Sequence, residues 1–259
     1  MTHRRSRFPA GETVLTLLLT LTLLLPVPAA ALQAAEALSL DGDPVQTVDF
    51  AFVKSNVTYP AKPDVTVIDT RPTDVGFDAS HIPGAINIPI DRFDQLVEHL
   101  PADRKHLLIF YCDDAICPSG RLSALKAAKL GYANARVYAA GLADWVRSDG
   151  VTSVSAAYIG HLARSQAPHR LIDARPARTA AKGMIPGAIN IPDADLDKQL
   201  DKLPANKNIL LIFYCGGIDC PQSANAAEKA RKLGYTNVKT YPEGYPEWVR
   251  LQAPPPAGN

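Results

Sequence analysis

The chain has little that would tie it to nucleic acid or hold it in a bilayer. Charged residues make up 20% of its 259 positions and the formal net charge is +1, with basic and acidic side chains interspersed. A nucleic-acid binder clusters its lysines and arginines on one face or stripe, and no such block is present. The apolar run at residues 14–25 is about 12 long, short of the roughly 20 that a membrane-spanning helix needs. Cysteine is scarce: Cys112, Cys117, Cys215 and Cys220 are the only four. No histidine pair lies near them to complete a tetrahedral zinc site, so neither metal nor cofactor is expected. Where a Cys-x5-Arg phosphatase loop needs arginine, Pro118 and Pro221 stand instead.

What is present begins with a basic start (Arg4, Arg5, Arg7). The apolar run follows, and then a stretch of small residues, PVPAAALQAAEA. This order predicts a secretory signal peptide over residues 1–37, with A-x-A sites ending at Ala31 and Ala37. The expected location is therefore periplasmic or secreted, free of the membrane after cleavage. No cysteine near these sites offers a lipid attachment point. An exported protein lives where disulfides form and persist, so two structural disulfides are one reading of the four cysteines.

The rest of the chain says the same thing twice. LLIFYCDDAICPSGR at 107–121 returns as LLIFYCGGIDCPQSA at 210–224, with both cysteines in register. A repeat of about 100 residues is the size of a small domain. In each copy a short apolar run ends in Asp-x-Arg-Pro (Asp69 and Arg71; Asp173 and Arg175), which predicts a buried strand halted by proline. Ile-Pro-Gly-Ala-Ile-Asn-Ile-Pro follows in both, a turn and a short strand. Short helices are expected at 93–100 and 196–203. The LLIFY runs read as strands buried on both faces. Ala-rich helices are expected at 123–130 and 224–233, each capped by glycine (Gly131, Gly234). A last strand and a Gly…Trp closure (Trp145, Trp248) complete each copy. Strands alternating with helices predict an α/β fold with a mainly parallel central sheet flanked by helices in each of two domains, 45–150 and 155–252. Residues 148–157 read as a polar linker, and 253–259 as a disordered tail.

These residues resemble the rhodanese family. The resemblance rests on Asp-x-Arg at 69–71 and 173–175, His-Ile-Pro-Gly-Ala at 81–85, Phe-Tyr-Cys at 110–112 and 213–215, Leu-Gly-Tyr at 130–132 and 233–235, and the Gly…Trp closures. It covers roughly residues 45–250. It implies a tandem sulfurtransferase in which Cys112 and Cys215 hold the persulfide-forming position. The implied partners are a small sulfur donor such as thiosulfate and a thiol or cyanide acceptor. The family's usual loop, Cys-Arg-x-Gly-x-Arg-Ser, is extended here by two residues between Cys215 and Ser223. It also lacks the first arginine and carries a second thiol.

The loops have a chemistry of their own. A cysteine at the end of a buried strand, before a helix, has loop amides and a helix N-terminus to stabilise its thiolate. Gly216 and Gly217 suit an inward-turned amide cradle, whereas Asp113 and Asp114 follow Cys112 and oppose a thiolate. Arg121 offsets them in part as an anion contact. This favours Cys215 as the nucleophile, with Gly216, Gly217, Arg121 and Ser223 as substrate-binding candidates. Cys117 and Cys220 are resolving or disulfide partners, because four intervening residues let a curled loop close. Asp69–Arg71 and Asp173–Arg175 read as structural ion pairs. Two other readings remain open: thiol–disulfide redox chemistry on the C-x4-C pairs, and a non-catalytic binding module with disulfide-locked loops. The residues leave the oligomeric state undetermined.

Overall fold

The computed structural model describes residues 45–252; the expected signal peptide and the tail at 253–259 lie outside them. In chain order the first half contains β1 (Gln46–Thr47), α1 (Phe50–Asn56), β2 (Val65–Asp69), β3 (Ile86–Asn87), α2 (Phe93–Leu96), β4 (Leu107–Tyr111), α3 (Ser119–Lys129), β5 (Ala135–Tyr138) and α4 (Gly141–Arg147). The second half contains β6 (Thr152–Ser153), α5 (Ala156–Ser165), β7 (His169–Asp173), α6 (Ala177–Ala180), β8 (Ile189–Asn190), β9 (Leu210–Tyr214), α7 (Gln222–Lys232), β10 (Val238–Tyr241) and α8 (Gly244–Gln252).

Each half builds one five-stranded sheet, ordered β1-β5-β4-β2-β3 and β6-β10-β9-β7-β8, with every pairing parallel. The LLIFY strands occupy the middle. Side chains alternate across a strand, so Leu108 and Phe110 enter one core cluster while Ile109 and Tyr111 enter another. In the second sheet Leu211 and Phe213 face one cluster, and Ile212 and Tyr214 the other. Two covered faces explain why these runs are apolar throughout rather than alternating.

Three local expectations change. The helices after the cysteine loops start early, at Ser119 and Gln222, directly behind Pro118 and Pro221. Proline has no N–H to lose in a first turn and its φ is already helical, so it starts the helix instead of delaying it. The segment at 93–100 is only one helical turn followed by a 3-10 turn, and its counterpart at 193–202 is 3-10 throughout. Residues 148–157 are not a loose linker. Thr152 and Ser153 are buried and pair with β10, so the second sheet begins before residue 155.

The joint between the halves is bonded through backbone. His81 and Ser153 exchange N–H···O bonds of 2.9 and 2.8 Å, and Ser155 N–H donates to Asp78 O at 3.0 Å. Lys239 Nζ donates to Ala79 O at 2.6 Å, and Trp145 Nε1 to Val151 O at 2.9 Å.

Candidate active site

Both cysteine loops leave the carboxyl end of the central strand, the usual place for ligands in an open parallel sheet. The strand end is fixed by a buried pair in each half. Arg71 bonds Asp69 through Nε and Nη2, and Arg175 bonds Asp173 in the same way, at 2.5 Å for the Nη2 contacts. In the first half Tyr111 Oη donates to Asp69 at 2.6 Å and accepts from Ile82 N–H. In the second, Tyr214 Oη accepts from Ile185 N–H. The second guanidinium nitrogen also reaches Ser80 O or Gly183 O. In each half the Asp, Arg and Tyr together clamp the Pro-Gly turn to the end of the strand that carries the cysteine.

The two loops then part company. In the first half Cys112 and Cys117 form a disulfide, with Cα atoms 6.0 Å apart. Cys112 thus has no free thiol to carry a persulfide while that bond stands. Asp113 is turned back to Arg71 Nη1 at 3.1 Å, and Asp114 Oδ1 accepts from the Ile116 and Cys117 amides. The two carboxylates that oppose a thiolate are here spent on holding a closed loop. Arg121 lies exposed in the first turn of α3.

In the second half both thiols are free. Cys215 is fully buried. Its single Sγ–H donates to Cys220 O at 3.1 Å, and the buried Ser223 Oγ lies 3.4 Å from the sulfur, so Ser223 serves the thiol from beneath rather than an open surface. Cys220 is half-buried and lines an open cavity of about 720 Å³ with Gly216, Gly217, Ile218 and Asp219. Gly217 has φ +129°, which turns the loop so that Cys220 N–H bonds Gly217 O at 3.0 Å. The Gly216 and Gln222 amides favour the Cys220 thiolate, so the glycine cradle serves the second thiol, whose Sγ–H lies 3.5 Å from Gln222 Oε1. The loop is seated on α8: Gly244 has φ +64°, and a Cβ there would meet Cys215 O at 2.3 Å.

Charge follows this geometry. The hydrogen bond from Cys215 and those from the two amides pull the Cys220 thiol down to about 6. The same contact with Cys220, reinforced by burial, pushes Cys215 well up. Both directions make the half-buried sulfur the more acidic of the pair.

Two residues near the loop carry no sequence signal. Tyr59, in the segment after α1, is held un-ionised by burial and by the charges of Cys215 and Glu243. The first half thus shares a cavity with Ile218 and Glu243 of the second. Glu243, just before α8, lines the Cys220 cavity and a second cavity of about 200 Å³ shared with Tyr59 and Ile218. Burial raises its carboxyl to about 6. Asp219 and Glu247 add acid to the mouth, where Arg250 is held by Glu247 through two contacts of 2.6 Å. Among the described residues no group of three or more His, Cys, Asp or Glu is placed to hold a metal.

Fold and loop together define a tandem α/β protein with a cysteine pair at the carboxyl end of each central strand, bonded in the first half and free in the second. Comparison with known proteins gives that class its family. The Rhodanese-like domain matches twice, at residues 58–148 and 156–251. The chain belongs to the rhodanese-like family and carries its domain in tandem. The human thiosulfate:glutathione sulfurtransferase is 34% identical over 96 residues, which are 32% of this chain and 82% of that protein. An HTH-type transcriptional regulator of Mycobacterium tuberculosis is 40% identical over 78 residues, 30% of this chain and 33% of its own length. Among solved structures, the thiosulfate sulfurtransferase of Pseudomonas aeruginosa aligns with 81% of this chain and 43% of its own, at 19% identity and TM-score 0.35.

Proposed function

We propose that this protein is an exported sulfurtransferase. It moves sulfane sulfur from a small donor such as thiosulfate to a thiol or cyanide, through a persulfide on the second-domain loop. Sulfur transfer is the class of activity that the doubled rhodanese-like domain and the human relative support. The observation that carries the finer reading is the free thiol pair Cys215/Cys220. It sits at the carboxyl end of β9, with loop amides that favour the Cys220 thiolate and an open cavity in front. A thiolate held by fixed amides attacks the outer sulfur of the donor, and the same amides stabilise the persulfide anion that results. The first domain, its loop closed by Cys112–Cys117, acts as scaffold and supplies Tyr59. Export rests on residues 1–37, and the disulfide in the first loop agrees with an oxidising compartment.

The assay is sulfur transfer by the full chain, from thiosulfate to cyanide and to a small thiol. Replacing Cys215 and Cys220 together by serine is expected to lower the rate at least about a hundredfold, because the nucleophile is gone. Cys112→Ser with Cys117→Ser is expected to keep most of it. Equal rates in all three proteins would sink the assignment. Cell fractionation with N-terminal sequencing of the mature chain tests export. The first-loop disulfide favours a second reading, dithiol–disulfide exchange, which would show as turnover of a disulfide substrate with no sulfane donor present.

A further inference from the structure

We infer that Cys220, rather than the strand-end Cys215, takes the sulfur from the donor, and that Cys215 then closes on it to release sulfide and leave a Cys215–Cys220 disulfide. The inference deepens the sulfur-transfer reading above and rests on it.

Access decides the first step. Cys215 is fully buried, roofed by its own loop through the Cys220 carbonyl and backed by Ser223. A donor must displace that roof to reach it. Cys220 is half-buried and lines the open cavity beside Gly216 and Gly217, with its sulfur held only to Gln222 Oε1 at 3.5 Å among the described hydrogen bonds. The protein itself supplies the argument for the second step. The first-domain loop has the same C-x4-C spacing between the same strand and helix, and there the two cysteines are bonded with Cα atoms 6.0 Å apart. One fold thus holds the loop closed in one half and open in the other, so closure of Cys215 on Cys220 lies within this loop's reach.

The chemistry balances. Cys220 thiolate attacks the sulfane sulfur. The bond from that sulfur to the donor breaks, and the donor leaves as an anion with the electron pair, giving a Cys220 persulfide. Cys215 attacks Cys220 Sγ, its proton passing to the outgoing sulfur. The persulfide S–S bond breaks, and hydrosulfide departs. The sulfane atom is reduced to sulfide while the two thiols are oxidised to one disulfide. A small thiol or dithiol must reopen the loop before the next cycle.

The test uses the full chain with Cys215→Ser, Cys215→Ala and Cys220→Ser. Each is incubated with thiosulfate and, separately, with a low-molecular-weight organic persulfide. Sulfide release is measured, and added sulfur is mapped on proteolytic fragments. The expected result is that both Cys215 variants trap one sulfur on Cys220 and release no sulfide. Cys220→Ser should take up sulfur at least about tenfold more slowly, since its remaining thiol is buried beneath the residue-220 carbonyl. The parent chain should release one sulfide per molecule and end with Cys215 joined to Cys220. Two Cys215 variants guard against loss of fold at a buried site, checked by thermal unfolding. Sulfur appearing on Cys215 of Cys220→Ser at the parent rate, with Cys215→Ala unlabelled, overturns the inference but leaves the sulfurtransferase reading intact. No sulfur on any protein with either donor removes both.

Discussion

His81 makes the joint between the domains sensitive to acid. Its ring is fully buried, stacked on Phe77 with centroids 4.0 Å apart, and Nδ1 lies 2.8 Å from Phe77 O. Burial lowers its pKa from 6.5 to about 4; the Phe77 carbonyl and Asp69 oppose that, while Arg71 and Lys239 add to it. In the folded protein His81 is therefore neutral over a range where the unfolded chain binds a proton. Stability from this residue is fully present above the unfolded value of 6.5 and is lost as pH falls toward 4, where both states are protonated. The whole window is worth about 3 kcal/mol, and the part between pH 7 and pH 4.5 about 2 kcal/mol. Glu243 works the other way. Its carboxyl is raised from 4.5 to about 6, so protonation favours the folded state by up to about 2 kcal/mol over that interval. The two nearly cancel in the parent protein, and only a comparison separates them. His81→Gln keeps a donor for Phe77 O without titrating. Urea unfolding at pH 7 and at pH 4.5 is expected to show the parent losing about 2 kcal/mol more than the variant between the two conditions. Identical pH slopes for the two proteins would refute the argument, whatever the variant's absolute stability.

Two further outcomes follow from the loop and its clamp. Gly244→Ala forces φ +64° on a residue with a side chain and drives its Cβ to 2.3 Å from Cys215 O, so unfolding should show a loss of roughly 2 kcal/mol or more. Displacing the loop should also cut sulfur transfer, measured beside it. Asp173→Asn leaves the buried Arg175 guanidinium without its counter-charge. The expected loss is about 3–5 kcal/mol by denaturant titration, and a change under 1 kcal/mol would mean that the pair is not the clamp described.

Much of this architecture is legible in the residues. The doubled LLIFY runs are apolar because they lie mid-sheet between two core clusters, and the repeats mark out two α/β units around them. The elements that misled did so for identifiable reasons. The Ala-rich runs at 123–130 and 224–233 mark only the later part of helices that begin directly behind Pro118 and Pro221. Thr152 and Ser153 are polar and short, so nothing in composition marks them as an edge strand; β10 makes them one. The loops were harder still. Their cysteine spacing is identical, yet one is closed and the other open. The partners that differ, Asp113 on Arg71 in one and Gly216 on the Cys220 sulfur in the other, come from tertiary placement. The weight that sequence puts on Cys215 reflects the strand-end position, while its burial appears only once the loop is folded over it. Tyr59 sits in a stretch of 56–64 with no periodicity, and nothing local announces that it reaches the opposite domain.

The backbone exchange between His81 and Ser153 bears on how a doubled protein loses its modularity. A duplicated domain begins as two separable copies, each with its own open sheet edge. Here the strand that borders the second sheet is held on one side by β10 and on the other by the first domain's turn, and Val151 supplies the carbonyl that Trp145 needs. Each half completes a hydrogen bond the other would otherwise leave unmade in its interior. Once such a seam exists the halves are free to diverge in chemistry, as the two loops have done, but no longer free to part.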